Sequence, residues 1–199
     1  MLYLIIILTC MAIITLLDYF TAAEYLGLSI LEIALGVTIS VVAIIIIDLI
    51  FAFIVRRCLP KKWFGKDKTH YKAGKKERIF YEKLGIKKWK DKVLELGALS
   101  NFRKNKIAEP NSNAYIERYI IEANYGIIVH VADIIFGFTV IFIYPLKVWL
   151  YFGFPVAFVN AVLNLLPLMI LRYNLPKLHA LYKFNEKREK RKVDETSSN

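Results

Sequence analysis

The sequence predicts an all-α integral membrane protein, with four transmembrane helices and a basic amphipathic interfacial helix in its cytoplasmic loop. Three observations carry this expectation. The chain of 199 residues is 57% hydrophobic, and its apolar residues come in long runs such as Leu2 to Leu17 and Ile30 to Val55. A hydrocarbon core of roughly 30 Å is crossed by about 20 apolar helical residues, so these runs have the length of membrane spans. The formal net charge is +11, and the basic residues gather in two stretches, which gives the protein a sidedness.

Span one is expected over about Leu2 to Leu17, ending at Asp18. No Lys or Arg precedes Arg56. The basic n-region of a cleaved secretory signal is therefore missing, and an uncleaved first span is expected. The link Asp18 to Ser29 holds Asp18 and Glu24 and no basic residue. Span two covers about Ile30 to Val55, with Glu32 at the outer interface in no special role, Asp48 near the far end, and Arg56 and Arg57 as the stop. Between Arg56 and Lys106 the chain carries 18 Lys or Arg against five Asp or Glu, which makes this the long polar segment.

Span three runs from about Ala123 to Tyr144 and turns at Pro145 and Lys147, helped by Gly153 and Pro155. Tyr144, Trp149, Tyr151, Phe152 and Phe154 crowd that turn, as suits the membrane–water boundary. Span four runs from about Val156 to Leu171 and stops at Arg172. The tail after Pro176 is basic, then polar, and expected to fray. The chain thus divides into two N-terminal transmembrane helices (1–55), a basic segment (56–116), two further transmembrane helices (117–176) and a basic and polar C-terminal tail (177–199).

Lys and Arg accumulate in cytoplasmic loops. Both basic stretches, Arg56 to Lys106 and Arg172 to Lys192, are therefore assigned to the cytoplasm. Four spans with cytoplasmic N- and C-termini satisfy this, in a multi-pass protein of the cell membrane, and leave the acidic link outside. Within the basic segment, Gly85 to Gly97 has the pattern of an amphipathic helix. Ile86, Trp89, Val93 and Leu96 recur at spacings of three and four, with Lys87, Lys88, Lys90, Asp91 and Lys92 opposite. Such a helix lies in the headgroup layer, and each nearby Lys or Arg is worth roughly 1 kcal/mol against an anionic leaflet. Nucleic acid is not an expected partner, because no groove-reading or stacking module accompanies the charge.

Neither a glycine-rich phosphate loop, a Gly-x-Ser-x-Gly nor a His-Glu-x-x-His occurs. Cys10 and Cys58 have no zinc spacing and read as apolar filler. Cys58, beside Arg56 and Arg57, is at most an acceptor for a palmitoyl chain. No metal is expected. The informative residues are the polar ones inside the spans, since ionisable groups there are expensive and face a cavity or each other. His130 follows Glu122 by eight residues, Asn164 precedes Arg172 by eight, and Asp48 precedes Arg56 by eight. Eight residues rise about 12 Å, so Asp48, His130 and Asn164 are expected at one depth in the cytoplasmic leaflet, with Glu122 meeting Arg172 above them. Asp133, three residues after His130, and Asn160, four before Asn164, repeat the match one turn deeper on the same helix faces. An imidazole near a carboxylate is the usual general base, whereas Asn and His in a bundle also serve simply to tie helices together. His70 and His179 lie in basic stretches and are expected to be solvated.

Three blocks stand out in this region: Gly85-Ile86-Lys87-Lys88-Trp89-Lys90-Asp91-Lys92 continuing to Glu95-Leu96-Gly97, Glu122 with His130, and Asn164 followed by Arg172-Tyr173-Asn174-Leu175-Pro176-Lys177-Leu178. Together they resemble the glycosyl-4,4'-diaponeurosporenoate acyltransferase family of small bacterial membrane proteins. The sequence departs from the family pattern at Gly126, Leu171 and Leu175, where acidic, polar and basic residues are usual. The resemblance implies transfer of a fatty acyl group from a thioester donor to a hydroxyl of a glycolipid, a glycosylated carotenoid or another lipid, at the cytoplasmic leaflet. The donor is acyl-carrier protein or acyl-CoA, and no further cofactor is implied. His130 would take the hydroxyl proton, with Glu122 or Asp133 as the orienting carboxylate. Arg172 and Asn174 would hold the donor's phosphate or thioester oxygen, and Asp48 and Asn164 would line the substrate side. Trp89 and Lys90 would dock the carrier. The alternative is a non-enzymatic membrane subunit or lipid-binding scaffold whose buried polar groups only join helices. A different lipid-modifying enzyme on a similar bundle is a third possibility.

Overall fold

A computed structural model of the chain describes residues 2–93, 107–145, 148 and 150–197. Among the described residues the secondary structure is helical, without strands. Helix α1 spans Leu2–Leu26 and α2 spans Ile30–Arg57. Two 3-10 turns, Lys61–Phe64 and Thr69–Tyr71, lead into α3 (Lys75–Lys83), α4 (Ile86–Trp89) and a further turn at Lys90–Lys92. Helix α5 (Asn113–Phe136) tightens into a 3-10 stretch at Gly137–Ile143, and α6 runs over Gly153–Ser197. Four helices are long and apolar enough to cross a membrane: Leu4–Leu26, Ile30–Arg57, Asn113–Ile143 and Gly153–Arg191.

Several boundaries differ from the sequence expectation. Asp18 does not end α1. It sits inside the helix, 6% exposed, and the helix continues until Gly27 adopts a φ of 65°, a left-handed conformation that only glycine takes without steric cost. The expected link shrinks to Gly27–Ser29. Ser29 caps α2 by accepting from the Glu32 N–H, and the Glu32 carboxylate accepts from the Ser29 N–H at 2.8 Å. Glu32 is therefore half of a capping box, which satisfies backbone donors at a helix start.

The tail is the largest difference. Helix α6 passes through Pro167 and Pro176 to Ser197. Contacts to the segment before α5 hold its far end, for Asn185 donates to the Pro110 carbonyl at 2.8 Å and Arg188 to Asn111 at 3.1 Å. The amphipathic helix also differs. Its described part is the single turn of α4 and the following 3-10 turn, while Glu95, Leu96 and Gly97, like Lys147 and Trp149 of the aromatic turn, lie outside the described residues.

The chain folds as two compact units, residues 1–58 with 129–166, and residues 59–128 with 167–199. In the first, Ile14, Ile33, Val37 and Ile44 pack with Val140, Phe152, Val156 and Ala157. Phe152, expected at the boundary, is only 4% exposed, and its ring lies where a Cβ on Gly36 would stand. Tyr144 donates to the Gly36 carbonyl at 2.7 Å. Small residues that admit a neighbour closely, with a few hydrogen bonds between helices, hold apolar helices together where lipid removes the hydrophobic drive. The outward face is equally apolar: Phe20 and Leu31 are each 78% exposed and Phe142 is 81% exposed. A contiguous surface of that kind is stable against acyl chains and untenable in water.

The second unit has its own core of Ala73, Tyr81, Ile86, Met169, Ile170 and Tyr173, flanked by Trp89 and Val93. Ile86, fully covered, anchors α4 there. Burying each such large side chain contributes about 1.5–3 kcal/mol.

Candidate functional site

In the first unit, three helices bring five polar side chains together. Asp48 comes from α2, His130 and Asp133 from α5, and Asn160 and Asn164 from α6. His130 Nδ1 lies 2.8 Å from Asn164 Oδ1. Asn164 Nδ2 faces the Asn160 carbonyl at 3.2 Å, Asn160 Oδ1 at 3.0 Å and Asp48 Oδ2 at 3.5 Å. Asn160 Nδ2 in turn donates to Asp48 Oδ1 at 3.3 Å. The eight-residue spacings thus bring Asp48, His130 and Asn164 together, with Asn160 as the bridge.

These contacts fix a proton. All three neighbours of the Asn164 amide nitrogen are oxygens, and the backbone carbonyl among them can only accept. Turning the amide over would set its oxygen against those oxygens, so Oδ1 must face the imidazole. Nδ1 of His130 then has to be the donor, which in the neutral ring leaves Nε2 as an open lone pair. Nε2 has no hydrogen-bond partner among the described residues. The group that orients the ring is a carboxamide, where the sequence pointed to the carboxylate of Glu122 or Asp133.

Asp133 is 4% exposed, its carbonyl accepts from Asn160 at 3.4 Å, and its Oδ1 has no partner. Gly137 makes room for this network, because a Cβ there would stand 2.7 Å from Asn160 Nδ2. No group of three or more metal-ligating side chains is found among the described residues.

In the second unit lie Trp89, Lys90, Glu122, Arg172 and Asn174. Here the expected pairing changes. The Arg172 guanidinium binds Glu77, with Nε at 2.6 Å from Oε1 and Nη2 at 2.8 Å from Oε2, while Nη1 donates to the His70 carbonyl at 3.3 Å. A two-pronged bond of this kind matches the fork of the guanidinium to the carboxylate. It holds the Glu77 carboxyl down at about 2, with the Tyr81 hydroxyl and the Gly74 N–H as further donors. Burial and that same carboxylate push the Tyr81 phenol up to about 12. Glu77 was not singled out in the sequence; its one signal was that it is an acidic residue in a strongly basic segment.

The Arg172–Leu178 block is therefore packed structure as much as site. Tyr173 is 1% exposed and donates to Glu82 at 2.8 Å, and Leu175 is fully covered. Pro176 has no N–H to offer the carbonyl four residues back, and the Ala73 N–H bonds that Arg172 carbonyl at 3.0 Å. Trp89 donates to the Leu84 carbonyl at 3.0 Å, and Lys90 stands 4.0 Å from Asp91. His70 is exposed as expected, whereas His179 is half-buried and its Nε2 is sealed off without a partner.

Comparison with known proteins adds one match. The family model described as glycosyl-4,4'-diaponeurosporenoate acyltransferase matches residues 60–184, more than half of the chain. The chain belongs to this family. Neither a curated protein nor a solved structure matches it. The glycosyl-4,4'-diaponeurosporenoate acyltransferase match takes in His130, Asp133, Asn160, Asn164 and the Glu77–Arg172 pair. Asp48 lies before it, so α2 adds a carboxylate to the network from outside the matched segment.

Proposed function

We propose that the protein is a membrane acyltransferase that moves a fatty acyl group from a thioester to a hydroxyl of a glycolipid. The observation that carries this is the His130–Asn164 hydrogen bond, with the Asn164 amide held the right way round by Asn160 and Asp48. It leaves Nε2 of His130 as the base. Nε2 takes the proton of the acceptor hydroxyl, the oxygen attacks the thioester carbonyl, and an ester C–O bond forms. The C–S bond then breaks, and the imidazolium returns the proton to the departing thiolate. General-base assistance of this kind contributes about 10²–10⁴-fold. The family's name supports a glycosylated carotenoid as acceptor. The clustering of Lys and Arg supports placing the site at the cytoplasmic leaflet of the cell membrane, with both termini cytoplasmic; on that side acyl-carrier protein or acyl-CoA would be the donor.

The test is a lipid mass-spectrometry comparison of cells carrying the wild-type protein or His130→Ala. The variant should remain folded in the membrane while one acylated lipid disappears; unchanged product would sink the proposal. The alternative, a lipid-binding scaffold, is favoured by the same network, since Asp48, Asn160 and Asn164 also tie α2 and α6 together. It predicts that His130→Ala lowers thermal stability with no lipid missing.

A further inference from the structure

The sequence pattern places an interfacial helix at Gly85 to Gly97, on the strength of Ile86, Trp89, Val93 and Leu96. The structure turns three of these inward. Ile86 is fully covered, and Trp89 and Val93 flank the core of the second unit. The apolar side chains that this region turns outward lie on the preceding helix instead. In α3 and its C-terminal cap, Ile79 is 48% exposed, Phe80 57% and Leu84 50%.

Lys76 stands three and four residues before Ile79 and Phe80, and Lys83 four and three after them. Those spacings put all four on one helix face, and all four are exposed. Both carboxylates of the helix are engaged away from that face. Glu77 holds Arg172 and the Tyr81 hydroxyl, and Glu82 holds Tyr173 and, at 3.1 Å, Lys87. Neither Lys76 nor Lys83 has an acid within ion-pair distance among the described residues. The face is also fixed outward. Rolling α3 to cover Phe80 would pull Tyr81 from the core and Glu77 from Arg172.

A single exposed apolar residue is ordinary, but a contiguous patch rimmed by charge marks an interaction surface. Here the rim is cationic, which complements an anionic surface. Lysine stems lie along apolar material while their ammonium groups reach a polar layer, so the lysines can flank a buried Phe80 without being buried themselves. The unit is already held at a bilayer by its own helices, because α5 up to residue 128 and α6 from residue 167 belong to it. We propose that α3 lies in the headgroup layer of that membrane, with Ile79, Phe80 and Leu84 at the acyl boundary and Lys76 and Lys83 on anionic phospholipid headgroups. Amphipathic helices of this make-up bind membranes by buried apolar area together with attraction to anionic lipid. The proposal does not depend on the acyl-transfer reading.

The experiment places a fluorescent label on Phe80→Cys and, separately, on Ile79→Cys, in the full-length protein carrying Cys10→Ala and Cys58→Ser, reconstituted in nanodiscs. A nitroxide on the lipid acyl chain should quench both labels more strongly than iodide in the water. Half-quenching should need roughly fivefold less nitroxide-bearing phosphatidylglycerol than phosphatidylcholine, the equilibrium worth of one lysine at an anionic surface. Lys76→Gln with Lys83→Gln should abolish that preference. Lys187→Gln with Lys190→Gln, at exposed positions on α6, should preserve it. Stronger quenching by iodide, or shielding of both labels from both quenchers, overturns the proposal, since the face would then stand in water or under protein. Iodide quenching relieved by an added acidic acyl-carrier protein overturns it too, by giving the face to a protein partner. Equal quenching by the two lipids, or an equal loss in both double variants, overturns the anionic assignment.

Discussion

Pro176 frees the carbonyl of Arg172, and the Ala73 N–H bonds that oxygen at 3.0 Å. One residue thus contributes twice: its backbone holds the loop before α3, and its side chain holds Glu77 within α3. A proline inside a helix ordinarily leaves an orphan acceptor; in this unit the orphan is the attachment point. Pro176→Ala would supply a competing N–H to the same oxygen. Hydrogen exchange at the Ala73 amide should then quicken by up to roughly tenfold, the worth of one hydrogen bond. Unchanged protection at Ala73 would show that the proline does not matter to the loop.

The Glu77–Arg172 pair makes stability pH-dependent in a defined window. The folded carboxyl is held at about 2, below its ordinary value of 4.5. Its contribution is therefore complete above about 4.5 and is lost as pH falls toward about 2. Glu77→Gln should lower the unfolding free energy by about 1–2 kcal/mol at neutral pH, the lower part of the range for charged hydrogen bonds, because both side chains are a quarter exposed. Thermal unfolding of the two proteins should converge as the pH is brought down through that window.

Asn164 should act on the chemistry through His130. Asn164→Ala removes the acceptor at Nδ1 and releases the ring. The acylation rate should drop roughly 10²-fold, the low end for losing a positioned base, with KM for the donor little changed. Asn164→Asp keeps an acceptor for Nδ1 but sets its second oxygen against the Asn160 carbonyl and Asp48, so the rate should stay low and the pH–rate profile of the residual activity should be displaced. A purely structural role would move thermal stability and leave the profile in place.

Gly137 and Asn160 test the network from its packing side. A methyl group at 137 would stand 2.7 Å from the Asn160 amide nitrogen. Gly137→Ala should cost about 1–3 kcal/mol, as overpacking does, and it should lower acylation with it. Combining it with Asn160→Ala should recover stability but not activity. Recovery of both would mean that Asn160 has no part in holding Asn164.

Gly126 and Leu171, two of the departures from the family pattern, touch each other in the second unit. A Cβ at 126 would stand 2.9 Å from the end of the Leu171 side chain. Gly126→Ala should be close to neutral, because the gain in helix propensity of about 1 kcal/mol offsets the squeeze. In a Leu171→Ala background the same substitution should stabilise by about that amount, which a double-mutant cycle followed by thermal unfolding would read directly.

By itself the sequence determined the four apolar helices, the charge asymmetry, the family blocks, and the register that brings Asp48, His130 and Asn164 together. These follow from composition and from the fixed rise of a helix, both local and additive along the chain. Tertiary structure decided which atom faces which. Asn164 rather than a carboxylate meets the imidazole, because amide orientation depends on neighbours from other helices and other turns. Arg172 binds Glu77, a residue 95 positions away with no sequence spacing to announce it. The C-terminal helix persists past two prolines and a basic tail because distant segments accept and donate to it, and no local propensity encodes that support.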